Sequence, residues 1–338
     1  MTVTESDTLK HRKSPKESCL QKVSAEQKEY AEACASPRMT ETDITSANEQ
    51  TERLLEKILD PENLNKAYKQ VVRNKGAGGV DGMTVEQLLP YLKAHKEELL
   101  QSIWDGSYRP KPVRRVEIPK ENGKARKLGI PTVIDRLIQQ AISQVLSPIF
   151  ELQFSDNSFG FRPKRSAHDA LKRCQSNITD GYTYVVDMDL EKYFDTVNQN
   201  KLVQILSETI KDGRVISLIH KFLRAGIMVG GVFEKSPEGV PQGGPLSPLC
   251  GNIMLNECDK ELERRGHRFV RYADDLLIFC RSKRAAQRTL ENTIPFIERK
   301  LLLKVNMEKT QVAYIRNVKF LGYGFYQYKG EGRLRVHP

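Results

Sequence analysis

Arg271-Tyr-Ala-Asp-Asp-Leu-Leu-Ile-Phe279 sets two adjacent carboxylates between apolar runs, each long enough for a strand. A hairpin would hold Asp274 and Asp275 at its tip. An isolated Asp-Asp pair usually does no more than favour a turn, so its meaning depends on what the rest of the chain brings to it. The decisive partner is Tyr184-Val-Val-Asp-Met-Asp-Leu190, where alternation puts Val186 and Met188 on one face and Asp187 and Asp189 on the other. A carboxylate at the end of an apolar strand is costly unless it is paired, exposed or metal-bound. Placed side by side, the two strands bring three or four carboxylates together with no histidine near them. Such an all-oxygen set suits Mg²⁺ rather than zinc. Two such ions, roughly 3.5–4 Å apart, stabilise the attacking and leaving oxygens of a phosphoryl transfer.

Outward from this pair, apolar, β-branched or aromatic runs predict strands at 182–190, 269–272, 276–280, 312–315 and 318–326. Helical patterns fall at 135–146, 166–175, 198–209, 215–225, 248–265 and 284–300. Further upstream, Val113, Val116 and Ile118 face Leu128 and Ile130 across Glu121-Asn-Gly-Lys124, a hairpin signal. Leu54, Leu55, Ile58 and Leu59 form a helical stripe, closed by Asp60-Pro61 as the N-cap and first position of the next helix. That helix stops in the glycine-rich Asn74-Lys-Gly-Ala-Gly-Gly-Val-Asp-Gly82, after which Thr84 with Gln87 resembles a capping box for a helix running to about Trp104. Residues 1–48 are polar, poor in aromatics and without period, and read as a disordered tail. Hairpins replace some crossovers, so the fold class is α+β: an antiparallel sheet with helices packed on one face, not a doubly wound parallel sheet.

The 338 residues carry 54 Lys and Arg against 43 Asp and Glu, a net charge of +11. A polyanion is therefore the first partner to test. No apolar run reaches the roughly 18 residues of a membrane span, and no charged-then-apolar start signals export. Six cysteines without a CxxC indicate neither a zinc site nor a disulfide framework, which makes the reducing cytoplasm the default location. Secreted, membrane and zinc-finger classes are excluded.

Tyr272-Ala-Asp-Asp275 resembles the metal-binding box of reverse transcriptases, and Asp189-Leu-Glu-Lys-Tyr-Phe194 resembles the other carboxylate motif of their palm. Val240-Pro-Gln-Gly-Gly-Pro-Leu-Ser-Pro248 is similar to their template-and-nucleotide loop and lies between the two in order. Ser158-Phe-Gly-Phe-Arg-Pro-Lys-Arg-Ser166, Ile118-Pro-Lys-Glu-Asn-Gly-Lys-Ala-Arg126, Leu128-Gly-Ile-Pro-Thr132 and Phe320-Leu-Gly-Tyr323 complete a pattern similar to bacterial group II intron-encoded proteins, which combine reverse transcriptase and maturase. The segment 74–82 resembles the additional N-terminal motif of that group. The resemblance runs from about Leu54 to the C-terminus. It implies a right-hand polymerase with a helical N-terminal extension (49–107), fingers (108–181) and palm (182–338, with finger segments interleaved), and an α-helical thumb that would begin where this chain ends. The implied activity is RNA-directed DNA polymerisation with two Mg²⁺, using an RNA template with a DNA primer, dNTP and group II intron RNA; a homodimer stays open. A rival of another class is an RNA-binding splicing cofactor, which would not need the three carboxylates together. A retron-type enzyme is a third, disfavoured by the N-terminal motif.

The resemblance also implies roles. Asp189 and Asp274 are the shared metal ligands, Asp275 is the second carboxylate of the box, and the Leu190 backbone carbonyl completes the set. Asp187 is read as a neighbour and Asp195 as a turn cap. Phe194 stands where the family places the ring that blocks a ribose 2′-OH, with a core aromatic as the alternative. Lys120 and Arg126 would close on nucleotide phosphates within a run, 109–127, that holds eight Lys or Arg and two Glu. Arg114, Arg115, Arg162, Lys164 and Arg165 are RNA-backbone candidates. Gln242 would touch nucleotide or template, and Lys309 would protonate departing pyrophosphate, although a surface lysine is equally natural there.

Overall fold

The computed structural model describes residues 51–119 and 125–336, and of Ala125 and Arg126 only the backbone. The expected tail, the turn at 121–124 and Lys120 lie outside the described residues. Helix α1 (Leu54–Leu59) buries Leu54, Leu55 and Ile58. The Leu55 N–H, which a helix start cannot satisfy internally, donates to Asp212 Oδ2 at 3.0 Å. In α2 (Pro61–Asn74) the Asp60 carboxylate accepts from the Glu62 and Asn63 N–H groups, as the Asp-Pro signal predicted. Helix α3 (Leu88–Trp104) opens later than the capping box suggested. The Thr84 N–H does donate to Gln87 Oε1, at 2.9 Å, but the bond closes a turn ahead of the helix.

Strands β1 (Val113–Pro119) and β2 (Ala125–Ile130) pair antiparallel from Arg114↔Ile130 to Pro119↔Ala125. Then come α4 (Val133–Glu151), α5 (Ala167–Thr179) with the Ser166/Asp169 capping box, β3 (Tyr184–Met188), the single turn α6 (Tyr193–Thr196), α7 (Gln199–Thr209) and α8 (Gly213–Leu223). Two short strands follow, β4 (Ile227–Val229) and β5 (Val232–Glu234), which no sequence pattern announced. They have three residues each, Val232 and Phe233 are exposed, and β4 joins β1 in parallel, a pairing no local signal encodes. After them come α9 (Ser247–Arg264), β6 (Arg268–Tyr272), β7 (Asp275–Cys280), α10 (Lys283–Arg299) and β8 (Gln311–Tyr314).

The strand expected at 318–326 is broken. Leu321 (φ 51°) and Gly322 (φ 84°) turn the chain, so that β9 (Lys319–Phe320) folds back on β10 (Tyr323–Tyr328), and β11 (Glu331–Val336) adds to β10's other edge. The central sheet has the order β6-β7-β3-β8 and is antiparallel throughout. Val186, Met188, Phe269, Leu276 and Ile278 point into a large core with α9 and α10. Val185, Val270, Leu277 and Phe279 point the other way, into a second core with α5, Phe320 and Phe325. Helices α9 and α10 thus cover one face as expected, and α5 with the β9–β11 sheet covers the other.

Candidate active site

The β6–β7 hairpin closes through Ala273-Asp274, with Ala273 at a positive φ of 57°. A side chain in that conformation needs support, and the structure supplies it from two sides. Gly160 lies so close that a Cβ there would stand 2.3 Å from the Ala273 nitrogen, while the Phe159 N–H donates to the Arg271 carbonyl at 2.9 Å. Behind the turn, the Arg271 side chain is 1% exposed and forks onto the equally buried Asp259 of α9, at 2.8 and 2.5 Å. Its remaining terminal nitrogen donates to Asn252 Oδ1 (2.9 Å) and to the Ala273 carbonyl (2.8 Å), and Asn252 in turn donates to the Gly160 carbonyl (2.8 Å). One guanidinium therefore ties helix, loop and turn together. Arg271, Asp259 and Asn252 were not singled out from sequence. The only available signal was a charged residue inside an otherwise apolar strand.

The register Asp187↔Leu277 and Met188↔Leu276 carries Asp189 to the level of Asp275 on the next strand. Asp189, Leu190, Asp274 and Asp275 line a single cavity of about 540 Å³ together with Phe194, Gln242 and Lys309. Lys127, Lys192 and Asp195 line it as well. Asp275 is exposed as a residue, yet partial burial of its carboxyl, followed by the charges of Asp274, Asp189 and Asp187, pushes it up to about 6 against the pull of Lys309. Asp187 is raised too, by burial first and by Asp189, with a hydrogen bond from Gln311 opposing. The segment after α10 holds Asp189 in place. Asn306 donates through its backbone to the Asp189 carbonyl (2.9 Å) and through Nδ2 to Oδ2 (2.8 Å), Lys309 Nζ stands 3.2 Å from the same oxygen, and the Asp189 N–H donates to Thr310 (3.2 Å). Sequence reasoning found Lys309 in this segment and missed Asn306 and Thr310.

The glycine-rich loop packs where glycine is required. A Cβ on Gly243 (φ 111°) would lie 2.3 Å from the Gly129 carbonyl oxygen of β2, and one on Gly244 would lie 2.2 Å from Gln139 Oε1. The Gly129 N–H donates to the Gln242 carbonyl at 2.7 Å, so the loop is clamped against the fingers hairpin. The Val240 N–H donates to the Phe194 carbonyl at 2.6 Å, and the Phe194 ring meets Tyr193 edge-on at 5.1 Å while half-open to the cavity.

The basic candidates divide. Lys164 is exposed, and Arg115 lines a groove beside the cavity. Arg165 grips Asp156 (2.6 Å) and Arg114 donates to the Gly78 carbonyl (2.8 Å), which anchors the glycine-rich 74–82 segment. Of Arg126 the strand is described but not the side chain. Arg162 corrects the expectation. It is buried, with Nε and Nη2 on Glu151 (2.8–3.1 Å) and Nη1 on the Ser155 and Ser158 carbonyls, and it lies over the Phe154 ring. Its three nitrogens are all bonded within the fold, and the charge-assisted fork onto Glu151 holds the guanidinium there.

Among the described residues, no three His, Cys, Asp or Glu side chains stand in a ready-made metal-holding arrangement, and Asp189 turns one oxygen to Asn306 and Lys309. The donor chemistry nonetheless fits a hard divalent cation. Every candidate ligand is an oxygen, and the like charges that add to burial in raising Asp275 are what a cation would offset.

Paired carboxylates at the tip of an antiparallel hairpin, faced by a clamped glycine loop and a β-fingers sheet, define the palm of a template-directed polymerase. Residues 118–325 match the reverse transcriptase (RNA-dependent DNA polymerase) family, and the chain belongs to it. Protein YkfC of Escherichia coli (strain K12) is 35% identical over 84% of this chain and 86% of its own length. The group II intron-encoded protein LtrA of Lactococcus lactis subsp. cremoris is 32% identical over 85% of this chain, which spans only 58% of LtrA. A telomerase from Candida tropicalis, solved with a fragment of telomeric RNA, shares the fold at a TM-score of 0.50 and 17% identity, covering 68% of this chain and 47% of its own. Among the described residues no helix is long and apolar enough to cross a membrane.

Proposed function

We propose that this chain is the RNA-directed DNA polymerase of a group II intron-encoded protein, extending a DNA primer on an RNA template from dNTP. One observation carries the reading: Asp189, Asp274 and Asp275 are brought onto one cavity, where burial first and then the neighbouring carboxylate charges raise Asp275 to about 6. These carboxylates and the Leu190 carbonyl would hold two Mg²⁺. When bound, the two ions supply the charge that stabilises the attacking and leaving oxygens. The protein's own part is position and electrostatics. Arg271 and Asp259 fix the turn that carries Asp274 and Asp275, while Asn306 orients Asp189. Phe194 places its ring edge beside C2′ of the incoming sugar, and Gln242 braces nucleotide or template from the clamped loop. Lys309, 3.2 Å from Asp189, delivers the proton that leaves with pyrophosphate. Lys120 and Arg126 close on the triphosphate, and Lys127, which lines the cavity beside Lys192 and Lys309, adds to that charge. Arg115, Lys164 and Arg165 remain for the template backbone, with Arg114 held by Gly78; Arg162 does not.

The domain limits proposed are a helical extension at 49–107, fingers at 108–181 and a palm from 182. Intron RNA as a second partner rests on the likeness to LtrA, an intron-encoded protein by name. Primer extension on an RNA template with Mg²⁺, beside filter binding of RNA, tests both. Asp274→Ala with Asp275→Ala is expected to abolish extension and leave RNA affinity unchanged or slightly higher, since two like charges near phosphates are removed. Substantial extension by a folded double variant would sink the assignment.

A further inference from the structure

At the open end of the β6–β7 hairpin, away from the carboxylates, lies a cleft of about 720 Å³ between the end of α9 and the start of α10. Strand β6 runs four steps of about 3.3 Å from Arg268 to Tyr272, so this cleft stands about 13 Å from the catalytic turn. Arg264, Arg265, Arg268, Arg281 and Arg288 line it around Tyr182, and no carboxylate does. Some of this charge is internally balanced: Glu261 pairs with Arg264 and Arg265, and Asp180 with Arg268. Among the described residues no carboxylate pairs with Arg281, Arg284 or Arg288. His267 also lines the cleft; burial and the neighbouring Arg265 hold it below its usual range, so the charge there belongs to the arginines.

Two further features are hard to explain by solvation alone. The first turn of α10 contains no acidic residue and carries Lys283 and Arg284, flanked by Arg281 and Arg288. Cations at a helix N-terminus oppose the helix dipole and one another, a cost that an anion seated there removes. Arg268 and Arg281 also both pack on Tyr182, at 4.6 and 4.9 Å from the ring centre. Two long side chains are thereby held in fixed positions, which lowers the entropy lost when their donors grip a ligand. The five arginines of the cleft are spread over the end of α9, β6, the turn after β7 and α10. The cations therefore form a row rather than a single pocket for one small ion.

We propose that this cleft is a second nucleic-acid site that holds the phosphate backbone of an RNA strand while the carboxylate cavity is engaged with template and primer. The site rests on the reading of the chain as an RNA-dependent polymerase, but its chemistry is separate. Guanidinium groups on phosphodiesters carry no base information, so the cleft holds structured or unstructured RNA irrespective of sequence.

The test uses the full chain and a labelled single-stranded RNA long enough to reach both sites, with affinity followed across a salt series. Removing two phosphate contacts by Arg281→Gln with Arg288→Gln is expected to make the log–log salt slope shallower by about 1.4, at about 0.7 per contact on a single strand. Affinity should fall severalfold, while extension of a short template–primer stays at the wild-type rate. Arg281→Lys with Arg288→Lys should keep most of the slope, because the charge remains. Tyr182→Leu should lose part of it, because the brace is gone. Asp274→Ala with Asp275→Ala should keep the full slope, so failure of the catalytic reading and failure of this one are told apart. An unchanged slope in the Gln pair, with its melting temperature intact, overturns the proposal and leaves the cleft to another polyanion such as an acidic protein surface. Inorganic phosphate added at constant ionic strength is expected not to displace the RNA. Displacement from the wild type but not from the Gln pair would assign the cleft to a free phosphate instead of a strand.

Discussion

Phe194 is in contact with the catalytic cavity and with the helix behind it: a Cβ on Gly251 would stand 3.1 Å from its ring. The ring is thus wedged against α9 and cannot retreat from a bulkier sugar, the condition under which a hydrophobic contact discriminates by shape. Phe194→Ala should raise ribonucleotide incorporation by about tenfold or more in a competition assay, with dNTP use little changed. Unaltered discrimination would return Phe194 to the core. Gly160 is a second residue whose size alone decides something. An added methyl 2.3 Å from the Ala273 nitrogen must displace the turn that carries Asp274. Gly160→Ala should cost about 1–3 kcal/mol by urea unfolding and lower kcat for extension. A variant that loses stability but keeps kcat would show that the turn tolerates displacement.

At the scale of the element, the hairpin depends on a buried charge pair. Removing one partner leaves the other uncompensated in the interior, so Asp259→Asn should destabilise by about 3–5 kcal/mol. Replacing both, Arg271→Met with Asp259→Leu, should recover most of that stability, since an apolar pair of similar volume avoids the desolvation penalty. It should not recover kcat, because the donors to Asn252 and the Ala273 carbonyl are gone. Thermal melting against steady-state kinetics separates the two effects. If the double variant regains both, the pair serves packing only.

Across the whole molecule the excess of positive charge makes the few well-placed carboxylates valuable to the fold. Glu261, held by Arg264 and Arg265, is lowered to about 2. Its folded value lies below the unfolded value of about 4.3, so its contribution is fully present above that pH and is lost as pH falls from about 4.3 towards 2. In urea titrations the wild type should exceed Glu261→Gln at neutral pH, and the gap should close through this acidic window. A gap that is constant with pH would mean that shape, not charge, is what the variant removes.

The sequence alone determined what short-range chemistry can encode. Alternation placed Asp187 and Asp189 on one face of a strand, the flanking apolar runs placed Asp274 and Asp275 at the end of a hairpin, and Asp60-Pro61 and Ser166 marked helix starts that the structure keeps. The order of the boxes identified the family. Tertiary structure decided what depends on distant partners. Asn306 reaches Asp189 across 117 positions, and nothing local to Asn306 says so. Arg162 looked like one cation among others until Glu151 and two carbonyls enclosed it. Arg271 shows its role only once α9 brings Asp259 to it, and β4 is a strand because it finds β1 on one side and β5 on the other. Periodicity and capping are properties of a few neighbouring residues. Whether a charge is a surface contact or an interior brace is settled by which groups the finished fold brings within hydrogen-bonding distance.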